Sequence, residues 1–75
     1  MQTFKELVEI IENYVEADEI KSEDSFKFDL GMTSFDTVCM VAEIEKKMRV
    51  KLTAEDFINY KTVGEIAQYI EEKLG

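Results

Sequence analysis

Apolar residues recur at helical spacing in two stretches of the chain. Phe4, Leu7, Val8, Ile11, Tyr14 and Val15 follow Thr3, and Val63, Ile66, Ala67, Ile70 and Leu74 follow Thr62. Each set predicts an amphipathic helix with one face in a core. A third segment, Ala54 to about Tyr60, is short and offers Phe57 and Ile58. The stretch from Phe35 to Met48 is different. At about 100° per residue its apolar side chains fall into two groups on opposite sides of a helix. Met40, Val41, Ile44 and Met48 form one stripe, and Phe35, Val38, Cys39 and Ala42 form the other. A helix apolar on two sides is either central to a large core or offers its outer side to a partner. With 75 residues there is little core to surround it. Two readings stand: a helix sandwiched in the bundle with Phe35 and Val38 under a loop, or an exposed patch. Glu43 and Glu45 edge the second stripe, which favours a patch that basic partners approach.

The same punctuation introduces all four segments. Thr3-Phe-Lys-Glu6, Thr33-Ser-Phe-Asp36, Thr53-Ala-Glu-Asp56 and Thr62-Val-Gly-Glu65 each set a threonine three residues before an acid. In that spacing the hydroxyl accepts from a free N–H of the first turn. The acid reaches back to the N–H of the cap or favours the positive end of the helix dipole. The expected fold is all-α, a small four-helix bundle with a short third helix. Between the first and second helices, Ala17 to Met32 exceeds the roughly 12–15 residues beyond which loops tend to be functional or disordered. Its apolar residues Ile20, Phe26, Phe28, Leu30 and Met32 argue for a loop anchored in the core. Such a loop can span the bundle, so an up-down-up-down topology is not required.

Size and charge narrow the function. A chain this short makes one domain, residues 1–75, and buries only about 60% of its unfolded surface, which leaves no room for a deep catalytic cleft. There is no proline, and glycine occurs only at Gly31, Gly64 and Gly75. A net charge of −8 without histidine repels nucleic acid and anionic lipid and attracts basic protein surfaces. A single cysteine excludes an internal disulfide and agrees with a reducing cytosol. The N-terminus reads as an amphipathic helix rather than a signal peptide, and no apolar run approaches the roughly 18 residues of a membrane span. The acids Asp18, Glu19, Glu23, Asp24 and Asp29 lack the alternating ligands and closing glutamate of an EF-hand loop, so a solvated acidic loop is expected there and no metal site. Without histidine and with one cysteine, neither a serine triad nor a conventional zinc site can be assembled, so an enzyme is not expected.

Two adjacent hydroxyls stand where the second helix begins, although a helix start needs one. Thr33 is the better N-cap, because Asp36 sits three residues on, whereas Thr37 is three after Ser34. Ser34 then occupies the first helical position, beside unpaired N–H groups that favour an attached phosphate. Gly31 lets the preceding chain turn without crowding the approach. Local physics alone favours the plainer account, in which Ser34 is an ordinary first-turn residue or shares the capping duty.

At these residues the chain resembles a known family. The stretch DSFKFDLGMTSFDTVCMVAEIEKKMRVKL, Asp24 to Leu52, looks like the central half of an acyl carrier protein, and the flanking helices fit the same family. The family signature is an acidic loop, then Leu-Gly-x-Asp-Ser-Leu, an acidic second helix and a threonine-valine start to the last helix. Here these become Leu30-Gly31-Met32-Thr33-Ser34-Phe35, the helix to Met48, and Thr62-Val63. Ser34 falls on the serine that carries 4′-phosphopantetheine. Two departures accompany the match. Thr33 replaces the usual aspartate, which removes a carboxylate that a pantetheinyl transferase meets. Lys46 and Lys47 stand where acids usually continue, and Cys39 stands where glutamate is frequent, which points to a specialised set of partners.

The resemblance implies a cytoplasmic, monomeric carrier of fatty acyl, polyketide or related intermediates. A phosphopantetheinyl transferase would move the arm from coenzyme A to Ser34, and acyl-loading and acyl-processing enzymes with basic patches would dock on Phe35, Asp36, Val38, Cys39, Ala42, Glu43 and Glu45. Met40, Val41, Ile44, Met48, Phe57 and Ile66 would be candidates to line an acyl pocket, with ordinary core packing as the other account of them. An aminoacyl or peptidyl carrier, and an unmodified interaction module built on the same fold, are the alternatives.

Overall fold

The computed structural model describes residues 2–75. Among them the chain forms four helices: α1 (Gln2–Ile11), α2 (Ser34–Met48), the single turn α3 (Asp56–Asn59) and α4 (Val63–Leu74). The all-α architecture with a short third helix matches the expectation from periodicity. α1 packs against both α2 and α4. The core they enclose contains Leu7, Ile10 and Ile11 of α1, Met40 and Ile44 of α2, and Val63, Ile66 and Ile70 of α4, all essentially inaccessible to water. Removal of these side chains from water is the main stabilising term in so small a domain.

Three of the four threonine-acid pairs behave as caps. Thr33 and Thr62 are the N-caps of α2 and α4, each with both reciprocal hydrogen bonds of a capping box. Thr53 makes the same exchange with Asp56 across the turn that precedes α3. Thr3 does not. Gln2 is already helical, and the buried Thr3 hydroxyl donates to the Glu71 carboxylate of α4. Its hydroxyl faces a neighbouring helix, so a tertiary acceptor replaces the local N–H. At its far end α2 stops on Arg49, in the left-handed region at φ 60°, whose N–H bonds the Glu45 carbonyl.

Residues 12–33 carry no helix beyond the turns that follow α1, yet they are pinned. Ile20, Phe26 and Met32 are buried, Leu30 is half-buried, and the Phe26 ring meets Phe57 of α3 edge-on at 5.0 Å. Phe28 corrects the expectation of an anchor, because it is 82% exposed. The turn that begins at Ser25, whose carbonyl accepts from the Asp29 and Leu30 N–H groups, sends Phe26 inward and leaves Phe28 outside under the Lys27 ammonium. The loop then crosses the start of α4. Phe26 N–H donates to the Lys61 carbonyl, Val63 N–H to that of Asp24, and Gly64 N–H to that of Ser22 at 2.8 Å. A side chain at Gly64 would crowd that approach, since a Cβ there would lie 3.0 Å from the Ser22 oxygen and 3.1 Å from the Ser22 Cβ.

Candidate functional site

The start of α2 separates two duties that the two hydroxyls share out. Thr33 Oγ1 accepts from Asp36 N–H at 3.1 Å, and Asp36 Oδ2 accepts from Thr33 N–H at 3.1 Å. Capping is therefore complete without Ser34, which is the first helical residue and is exposed. Among the described residues its hydroxyl hydrogen-bonds to no other group, and the N–H groups of Ser34 and Phe35 find no acceptor. This contrasts with α4, where Val63 and Gly64 N–H groups are taken by the loop. Gly31, at φ +65°, leaves open space where a side chain would stand. Among the described residues no side chain stands hydrogen-bonded to this hydroxyl to activate it, but an exposed serine can accept a group brought by another protein. A phosphodiester formed on it would lie beside two free N–H groups at the positive end of the helix dipole. The residues present therefore fit a phosphate-linked arm.

The two stripes of α2 go to different environments. Met40, Ile44 and Met48 are buried, whereas Phe35 is 76% and Val38 58% exposed. Ala42 is also exposed and Cys39 half-buried. The loop does not cover this stripe, so it forms a solvent-facing apolar strip that begins next to Ser34. Val41, expected in the core stripe, is only half-buried at its margin.

The three acids named with this stripe are held differently. Asp36 is committed to the capping box. Glu43 is half-buried: its carboxylate accepts from Tyr14 Oη at 2.7 Å and Asn13 Nδ2 at 3.0 Å, and pairs with Lys47 at 2.9 Å. The Tyr14 hydrogen bond, followed by that from Lys47, holds this carboxyl below its ordinary range. The same contact, reinforced by desolvation, pushes the Tyr14 hydroxyl up to about 12. Glu45 projects into solvent with Lys51 at 3.9 Å. The periodicity placed Tyr14 among core residues and gave no sign that its hydroxyl would seek a residue 29 positions away.

Five of the proposed pocket residues, Met40, Ile44, Met48, Phe57 and Ile66, lie in one continuous core, with Val41 packed against it. Two shallow surface clefts lie elsewhere. One is bordered by Ser22, Tyr60, Thr62, Gln68 and Tyr69, the other by Phe4, Glu19, Ile20 and Lys21, and none of the six lines either.

Comparison with known proteins bears on the same helix. The family model for the phosphopantetheine attachment site matches residues 2–70. An acyl carrier protein of Clostridium perfringens is 38% identical over 71 residues, which cover 92% of this chain and 93% of that protein. One from an Exiguobacterium species is 43% identical over 56 residues, 75% of this chain and 71% of its own.

Proposed function

The chain belongs to the acyl carrier protein family, and on that footing we propose that Ser34 is its point of attachment for 4′-phosphopantetheine. Members of the family are carriers rather than enzymes and hold that group covalently. The observation that carries the assignment to Ser34 is the division of labour at the start of α2. Thr33 completes the cap, so an exposed hydroxyl remains at the first helical position beside two unpaired N–H groups. When bound, the arm supplies a terminal thiol that holds an acyl group as a thioester.

What the chain itself contributes is position. Residues 1–75 act as a single carrier domain, a cytoplasmic monomer in this reading, that raises the concentration of its cargo at a partner's active site. The partners are a phosphopantetheinyl transferase and the enzymes that load and process acyl groups in fatty acid, polyketide or related synthesis. They dock on the exposed strip of Phe35, Val38, Cys39 and Ala42, with Glu45 the acid most available to a basic patch and Asp36 and Glu43 adding charge from the flank. Met40, Val41, Ile44, Met48, Phe57 and Ile66 are the side chains that would part to admit an acyl chain, and the two methionines are the most adaptable of them.

The test is direct. Purified protein incubated with coenzyme A and a broad-specificity transferase gains the mass of one phosphopantetheinyl group, and Ser34→Ala abolishes the gain. Absence of modification both with that enzyme and in the native host would overturn the carrier reading in favour of an unmodified interaction module.

A further inference from the structure

The cleft bordered by Tyr60 and Tyr69 has no part in the carrier chemistry proposed for α2. It lies where the end of α3 meets α4, shares no residue with the α2 strip, and has a volume of about 460 Å³. On α4 it is lined by Glu65, Gln68, Tyr69 and Glu72, whose spacing of three and four residues puts them on one helix face. The Tyr60 ring stacks on that of Tyr69, with centroids 4.5 Å apart and planes 20° from parallel. Both tyrosines are half-buried and packed against the core, so the pair is fixed in place while part of it reaches the cleft.

The charged groups around this pair are largely unspent. Glu72 is exposed and makes no ion pair among the described residues. Glu65 commits Oε1 to Thr62 at the start of α4. A cation already rests on the aromatic pair, since Lys73 Nζ lies 5.1 Å from the Tyr69 centroid. Lys73 is exposed and pairs with no carboxylate among the described residues, so its ammonium marks a ring that a cation can reach from solvent.

We propose that this cleft is a second docking site, which takes an arginine side chain from a basic protein partner. The guanidinium stacks on the tyrosine pair in place of Lys73 and turns its fork of donors towards Glu72 and the side-chain oxygen of Gln68. Glu65 adds negative charge one to two turns further back. Lysine suits the site less well, because its compact ammonium cannot both lie flat on a ring and present that fork. The shallow cleft cannot enclose a free small molecule as ligand pockets do. A side chain delivered on a protein surface gains the rest of its affinity from the contact around it. Charge selects the same occupant, because a chain of net charge −8 attracts a basic surface and repels an acidic one. A partner held here leaves the α2 strip unengaged, and so keeps Ser34 at high local concentration for a second enzyme. The site goes beyond the carrier reading and does not depend on it.

The probe is a short peptide with Arg-Leu-Arg at the centre of a Gly-Ser frame, with twins that carry lysine or the neutral isostere citrulline in place of arginine. Amide-shift titrations to millimolar peptide use the wild type, Tyr69→Leu, Glu72→Gln and Lys73→Gln, each first shown by thermal melting to fold. Shifts in the wild type should centre on Tyr60, Gln68, Tyr69 and Glu72. Tyr69→Leu and Glu72→Gln should each weaken the arginine peptide by roughly twofold to fivefold, and Lys73→Gln should strengthen it by removing a competing cation. The lysine twin should bind more weakly and the citrulline twin weakest. Should Tyr69→Leu fail to fold, the exposed Glu72 and Lys73 variants carry the test. No shifts in the cleft, equal binding of the arginine and citrulline peptides, or binding that neither Glu72→Gln nor Lys73→Gln alters would each overturn the proposal. Shifts centred on Val38 and Glu45 would move the arginine to the α2 strip and overturn it too. A dimer that Arg49→Gln dissolves would make the occupant a second copy of this chain, against the proposal. Loading of Ser34 by a transferase is measured separately on the same variants and should not change, so failure of the carrier reading and failure of this one are distinguishable.

Discussion

Tyr14 Oη donates to Glu43 Oε1 at 2.7 Å and so fastens the turn after α1 to the middle of α2. The contact aligns the helix that carries Ser34 with the rest of the bundle from its inner edge, and leaves the outer strip free. Tyr14→Phe keeps the ring and removes the bond, and is expected to lower stability by about 1 kcal/mol at neutral pH. The pH dependence has two limbs. Tyr14 is raised in the folded state, so its share is fully present below its ordinary value of 10.0 and is lost as pH rises from there through about 12. Glu43 is lowered, so its share is present above the ordinary carboxylate value and is lost as pH falls through the lowered one. Urea unfolding across pH should show both limbs in the wild type. In Tyr14→Phe the alkaline limb should disappear and the acidic one flatten.

The two sides of α2 should respond oppositely to truncation. Ile44 is fully buried, and Ile44→Ala is expected to cost about 2–4 kcal/mol. Val38 is exposed, and Val38→Ala should stay within about 0.5 kcal/mol while slowing the loading of Ser34 or the transfer of its cargo. Val41→Ala, at the margin of the core, should fall between them. Denaturation midpoints set beside loading rates check all three.

Gly64→Ala sets two local effects against each other. Alanine favours a helix over glycine by about 1 kcal/mol. Its Cβ would lie 3.0 Å from the Ser22 oxygen, which is itself held by the Gly64 N–H at 2.8 Å. The crowded atom is tied backbone, so overpacking prevails, and a net loss of about 1 kcal/mol is expected in thermal or urea unfolding.

Thr33→Asp installs the carboxylate that the family usually carries before the serine. Aspartate caps a helix as well as threonine does, so stability should change by less than about 0.5 kcal/mol. Loading by a phosphopantetheinyl transferase should accelerate, and an unchanged rate would show that the residue acts as a cap alone.

Helices α2 and α4, their caps at Thr33 and Thr62, the spare hydroxyl of Ser34 and the two-sided character of α2 were all legible in the sequence. Each depends on residues within three or four positions of one another, where helical period and first-turn hydrogen bonding act without reference to the rest of the chain. The tertiary structure decided what depends on distant neighbours. Thr3 left its capping pattern for Glu71, 68 residues away, because α4 lies against α1. Phe28 turned outward because the turn at Ser25 already spends its inward position on Phe26. Val41 stopped at the edge of the core, and Glu43 was drawn from the docking edge to Tyr14, because the position of α1 set the width of the buried side of α2. Periodicity tells which residues share a face. How far that face is covered, and which polar groups it meets there, is set by elements that pack on it from elsewhere in the chain.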